Sequence, residues 1–191
     1  VALVYSPTGV TIYLNGVAYS ARNATMSAID LSQTPFYINK DIHNQGGDYK
    51  GEIDEIKIYN YALSQNEVRE KMHLIQSNGI GETGLLKYVQ FNAMDAQSNT
   101  VYELVGGSAV NLPGASVLLP SGAPVGKGVS FRKSVTSGGQ HTFTGTGVDL
   151  FFPTTTGAVY PNGELVVNRI NPLPTFLPDS ANSFHLNNYY I

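Results

Sequence analysis

The chain has 191 residues, 11 Lys and Arg against 14 Asp and Glu, and a net charge of −3, a balance that gives no electrostatic reason to bind nucleic acid or an anionic membrane. It contains no cysteine, which removes disulfides, thiolate metal sites and cysteine nucleophiles together. The length admits one large or two small domains, and no apolar run approaches the ~20 residues that a membrane-spanning helix needs.

Charged residues make up only 13%, while Gly (20) and Tyr (12) are abundant. Short strands and frequent turns follow from such a composition, so an all-β fold is expected. The absence of cysteine fits a reducing compartment and equally a secreted bacterial surface protein built without disulfides. No basic-plus-apolar signal segment opens the chain. It begins directly on strand-like Val1-Ala2-Leu3-Val4-Tyr5 and closes on strand-like Tyr189-Tyr190-Ile191, which is what a piece of a longer polypeptide would look like.

In chain order, the first strand is followed by a Ser6-Pro7-Thr8-Gly9 turn and then by Val10–Leu14 and Val17–Ser20, joined through Asn15-Gly16. Asn-Gly between alternating runs is a strong hairpin signal, because both turn residues take positive φ. Val10, Ile12 and Leu14 are expected to face the core. Thr34–Asn39 reads as another strand and His43–Asp48 as a polar loop.

The stretch Asp48–Ser64 joins a strand, an acidic cluster and a helix start. Ile56 and Ile58 alternate with Lys57 and Tyr59, the period of a strand buried on one face. Ile53 has the wrong parity, so either the strand begins near Glu55 or a bulge lies at Asp54-Glu55. Ser64-Gln65-Asn66-Glu67 reads as a capping box, and the helix is expected to run to about Ser77, stopped by Asn78-Gly79.

Three segments are expected: 1–78, a Gly/Pro-rich connecting β segment 79–134, and a small β module 135–191. Breakers such as Pro113-Gly114, Pro120-Ser121-Gly122 and Pro124 allow only short strands in the second. Gln140–Thr144, Val148–Phe152 and Glu164–Ile170 are strands of the third, separated by turns at Gly145-Thr146-Gly147 and Pro161-Asn162-Gly163. Pro172, Pro174 and Pro178 then enforce an extended path.

The order "VALVYS…GVTIYLNGV…FYINKD…YKGEIDEIKIYNYALSQNEV" resembles the C-terminal half of a laminin-G-like, concanavalin A-like jelly roll. The resemblance covers residues 1–76 and implies an antiparallel sandwich, incomplete, with one short capping helix, followed by a smaller β-sandwich-like module. The later orders "LLKYVQFN…VYELVGG…SGAPVGKGVS" and "FTGTGVDLFFP…PNGELVVNRINPLP" are similar to segments of multidomain surface proteins of Bacteroidota exported by the type IX secretion system. No sorting domain for that system is visible, so export is implied through the family alone.

For the acidic cluster, family-16 glycoside hydrolases share the jelly roll and carry Glu-x-Asp-x-Glu on one strand. Glu52-Ile53-Asp54 matches the first half, but Ile56 holds the third position and the chain has no Trp. A non-catalytic role is expected. In laminin-G-like domains an acidic residue at the Gly-x-Ile-Asp-Glu position helps hold a structural ion, so the resemblance implies Ca²⁺ at Asp54, with Asp48 and loop carbonyls as helpers. The competing reading is that Asp54 caps a turn while Glu55 and Lys57 form a solvated charge ladder.

Tyr37 and Tyr49, with Tyr59 and Tyr61 nearby in sequence, are candidate ligand-binding residues, because aromatic faces beside amides suit sugars. Packing between strands is the alternative for each. The four histidines, His43, His73, His141 and His185, show no metal spacing, and no Gly-x-Ser-x-Gly elbow is present. Asp179-Ser180-Ala181 resembles the O-glycosylation site of Bacteroidota at Ser180, and Asn23-Ala24-Thr25 is an N-glycosylation sequon.

The expectation is a secreted, multidomain cell-surface protein, an adhesin whose partners are glycans or surface proteins, exported as type IX cargo. Accessory modules of a polysaccharide-degrading enzyme, and purely structural spacers, are the alternatives.

Overall fold

The computed structural model describes residues 1–25, 27, 37–38, 49, 51–75, 81–95, 97–113, 116–121, 123–171 and 189–190. β1 (Ala2–Ser6), β2 (Gly9–Leu14) and β3 (Val17–Asn23) form an antiparallel meander. Asn15 (φ 49°) and Gly16 (φ 72°) make the tight turn that the Asn-Gly pair predicts. The turn also docks: a Cβ on Gly16 would come 2.7 Å from Arg69 Cγ on the helix described below.

A bulge between Ile12 and Tyr13 marks the β2–β3 pairing. The side expected to face the core carries Leu3, Ile12, Val10 and Leu14 in cross-strand rows. Leu3, Leu14 and Val17 are nevertheless 69%, 39% and 55% exposed. The expectation of a buried face is therefore corrected: alternation selects a side of the sheet, and no described element closes it.

β4 (Ile56–Tyr59) starts directly after Glu55, whose φ of 52° turns the chain at the strand entry. Of the two sequence alternatives the first holds, since the strand begins at this point; the register shift in its pairing falls between Ile58 and Tyr59 and not at Asp54-Glu55. Its antiparallel partner is β5 (Leu85–Val89). α1 (Gln65–Lys71) opens on the complete capping box: the Glu67 amide donates to Ser64 Oγ at 3.3 Å, and the Ser64 amide to the Glu67 carboxylate at 2.7 Å.

The helix is shorter than expected and ends at Met72 rather than near Ser77. Its last carbonyls and the following residues are claimed by tertiary partners. Lys57 Nζ donates to Leu74 O at 2.6 Å, while the Ile75 amide donates to Gly126 O and the Gly126 amide to His73 O, both at 3.0 Å. Tertiary pairing at Leu74 and Gly126 competes with the next helical turn and wins.

β6 (Thr100–Tyr102) and β7 (Ala109–Asn111) form a short hairpin. β8 (Lys127–Val135) pairs over nine residues with β11 (Gly163–Asn171), whose other edge meets β12 (Tyr189–Tyr190). β9 (Gly139–Phe143) and β10 (Val148–Phe152) form the remaining hairpin. Buried Val135, Phe143 and Val167, with Phe131, Leu150 and Phe152 packed on them, form a core between hairpin and sheet. Phe131 meets Phe143 edge-on at 6.3 Å. In the Gly145-Thr146-Gly147 turn the buried Thr146 hydroxyl donates to Phe143 O at 2.7 Å, so the turn is plugged by its own side chain.

The described sheets are antiparallel and the fold is all-β, consistent with a jelly-roll-like sandwich. The divisions expected at 78/79 and 134/135 fall between β4 and its partner β5 and within β8. α1 packs on β8 and β11, where Asn168 Nδ2 donates to Arg69 O at 3.0 Å and Arg132 Nε pairs with Glu70 at 3.1 Å. Among the described residues no helix is long and apolar enough to cross a membrane.

Candidate functional site

The entry to β4 brings the predicted acidic residues into view. The Asp54 carboxylate accepts the Glu55 amide at 2.9 Å, a turn of the side chain onto its own backbone. Glu55 reaches the other way and accepts the hydroxyl of Tyr88, a fully buried residue of β5 that in turn accepts from Gln90 Nε2 at 2.8 Å. Burial pushes the Glu55 carboxyl up, and the nearby Asp54 charge adds to it, against the opposing Tyr88 hydrogen bond.

Lys57 is not the solvated rung of a charge ladder. Its Nζ donates to Leu74 O and lies 5.0 Å from the centre of the Tyr88 ring, and burial lowers its pKa. Across the same seam Glu82 accepts from Tyr59 Oη at 2.6 Å and Lys71 Nζ at 2.7 Å. Burial alone would raise that carboxyl, but these two donors and the charges of Lys57 and Lys71 hold it below the usual value. The seam is a charge network that ties β4, β5 and α1 together, with both donors to Glu82 on Oε1 and its buried Oε2 without a hydrogen-bond partner among the described residues.

Among the described residues no group of three or more His, Asp or Glu side chains converges as a metal site. The described residues do not supply a calcium shell at Asp54; Asp48, its expected helper, lies outside them, as does Ser180. Tyr37 is 46% and Tyr49 57% exposed. The Tyr49 ring folds over Gly51, where a Cβ would come 2.4 Å from its hydroxyl. Tyr59 and Tyr61 are edge-to-face at 6.0 Å with their hydroxyls on Glu82 and Glu67, a packing role. Asn23 ends β3 on an exposed edge. His73 Nδ1 lies 2.9 Å from Pro124 O and His141 Nε2 3.0 Å from Ser137 O, each a contact to backbone, while the buried His73 Nε2 has no hydrogen-bond partner among the described residues.

The open face of the meander holds a groove of about 550 Å³ lined by Val10, Ile12, Ser20, Arg22, Ala24 and Thr25. Cross-strand register explains this lining: Val10 stands opposite Arg22 and Ile12 opposite Ser20, so β2 supplies an apolar floor and β3 a polar wall. Tyr5, opposite Val10, donates its hydroxyl to Ser27 O. Among the described residues no carboxylate pairs with the Arg22 guanidinium. Sequence reasoning passed over Ser20, Arg22 and Thr25: regular alternation from the Asn15-Gly16 turn would set Tyr19 opposite Ile12, and only the bulge between Ile12 and Tyr13 brings Ser20 and Arg22 to the side of Ile12 and Val10.

Residues 1–69 match the model of the concanavalin A-like lectin/glucanases superfamily, in its laminin G-like form. The match supports a laminin-G-like domain in this part of the chain. It takes in the whole meander, its groove, β4 and most of α1. No curated protein and no solved structure matches the chain. The matched region carries the open groove and the β4 side of the seam, whose other partners lie beyond it, and the two differ chemically: the seam's ionic groups are engaged with neighbouring elements, whereas the groove presents a cation, hydroxyls and apolar surface to solvent.

Proposed function

We propose that this chain is a non-catalytic binding part of a secreted, multidomain bacterial cell-surface protein, an adhesin that takes a glycan or protein partner in the meander groove and is exported as type IX secretion cargo. The observation that carries the reading is the groove itself. Its apolar floor of Val10 and Ile12 suits the flat face of a sugar ring or an apolar side chain, while Ser20, Arg22 and Thr25 offer directional polar contacts. Laminin G-like domains bind glycans or proteins. Against catalysis on the β4 strand, Ile56 occupies the position at which a second carboxylate is needed.

The test is retention of the protein on a broad glycan array and on extracellular-matrix proteins, in calcium and in chelator, beside the variants Arg22→Glu and Asp54→Asn. Retention reduced about tenfold or more by Arg22→Glu supports the groove. Retention indifferent to Arg22→Glu, or none on any surface, overturns it. A calcium requirement abolished by Asp54→Asn would locate the ion that the resemblance implies.

A further inference from the structure

The β9–β10 hairpin ends in a second concavity, outside the matched region and unlike the meander groove. It is an open pocket of about 370 Å³ formed where Ser137 and Gly138 enter β9 and Pro153, Thr154 and Thr155 leave β10, with Tyr160 on its wall. Glycine makes the approach of the two strand ends possible: a Cβ on Gly138 would lie 2.3 Å from Pro153 O. Beyond Thr155 the chain is turned back by a hydrogen bond from the Ala158 amide to Thr155 O at 3.0 Å, with Gly157 at φ 83°.

The chemistry of the lining is narrow. No Lys, Arg, Asp or Glu lines the pocket. The pocket is lined by the hydroxyls of Ser137, Thr154, Thr155 and Tyr160, four groups that can both donate and accept, and none of them hydrogen-bonds another described residue. Two residues before Pro153, β10 carries an aromatic that is not part of the core cluster. Leu150 and Phe152 pack on the core, but Phe151, between them, is 71% exposed, directly opposite the exposed amide of Gln140. An uncharged, hydroxyl-rich pocket, with an exposed aromatic and an amide paired two residues along the strands that lead from it, matches the alternating C–H and O–H surface of a sugar.

We propose that this pocket, together with Phe151 and Gln140, is a second binding site and that its ligand is a neutral saccharide. The test is a heteronuclear NMR titration of the full chain with neutral hexasaccharides of α-glucose, β-glucose, mannose, xylose and galactose, with polygalacturonate as the charged control. Saturable shifts confined to residues 137–141 and 151–160 with at least one neutral probe are expected. Phe151→Ala should weaken that binding about five- to tenfold, and Thr154→Val should weaken it too. Arg22→Glu should leave it unchanged, which separates this site from the meander groove. The exposed position of Phe151 keeps the fold intact, as an unchanged melting temperature would verify. No saturable shift with any neutral probe, shifts confined to the meander, or unaltered binding by Phe151→Ala overturns the proposal.

Discussion

Two glutamates show how position alone sets opposite pH behaviour for one residue type. Glu103, 2% exposed, closes the loop after β6: its carboxylate accepts the amides of Val105, Gly106 and Ser108 and pairs with Lys87 at 2.9 Å. Burial would raise this carboxyl, but Lys87 and the three amides outweigh it and hold it down to about 2 against an ordinary 4.5. A depressed carboxyl contributes stability that is present above 4.5 and is lost as pH falls toward 2. With screening by the half-exposed Lys87 allowed for, the contribution is about 2 kcal/mol. Glu103→Gln should therefore lower stability by that order at pH 7 and flatten the acid limb of urea midpoints measured across this range. Glu55 works the other way. Its raised carboxyl disfavours the charged form in the folded state, so stability is gained as pH falls through its folded value. Glu55→Gln should leave stability at pH 7 unchanged or higher; a loss above about 1 kcal/mol by the same measurement would contradict this account.

At the scale of elements, α1 matters beyond its two turns because both of its sides are occupied. Arg69 Nε and Gln65 Nε2 donate to Gly16 O at 2.8 and 3.0 Å, clamping the β2–β3 turn, while Glu70 and the Arg69 carbonyl engage β8 and β11. Removing the cap with Ser64→Ala is expected to cost about 1 kcal/mol, read as a lowered urea midpoint with unchanged slope. Gly16→Ala should cost more, since it combines positive φ with a collision against Arg69. Its amide-exchange signature should appear in both the meander and α1.

At the scale of the whole molecule, the family match ends at residue 69, but the packing does not. β4 takes β5 as its partner, and the α1–β8–β11 contacts join the matched region to the C-terminal sandwich. A fragment of residues 1–78 would lose the β5 partner of β4 and the sheet beneath α1. It is expected to show no dispersed spectrum for residues 56–72, whereas the full chain should unfold α1 and β4 together with β8 and β11 in one calorimetric transition. Separate transitions for the two parts would refute this coupling.

The local features were legible in the sequence because their causes are local. Asn15-Gly16 dictates a tight turn by its φ preference, Ser64 and Glu67 dictate a helix start by satisfying free amides, and Ile56 and Ile58 dictate a strand by their period. The all-β class followed from composition in the same way. Tertiary structure alone decided where α1 stops, because the chain beyond it pairs at Leu74 with Gly126, which belongs to a segment remote in sequence. It also decided that Lys57, Glu82 and Glu103 are drawn out of solvent into polar contacts, because their partners Leu74, Lys71, Tyr59 and Lys87 come from other elements. The grooves belong to this second class. Alternation says that Arg22 shares a side with Ser20 and that Phe151 opposes Leu150, but whether a side is covered or open depends on what packs against it, and no periodicity within one strand records that.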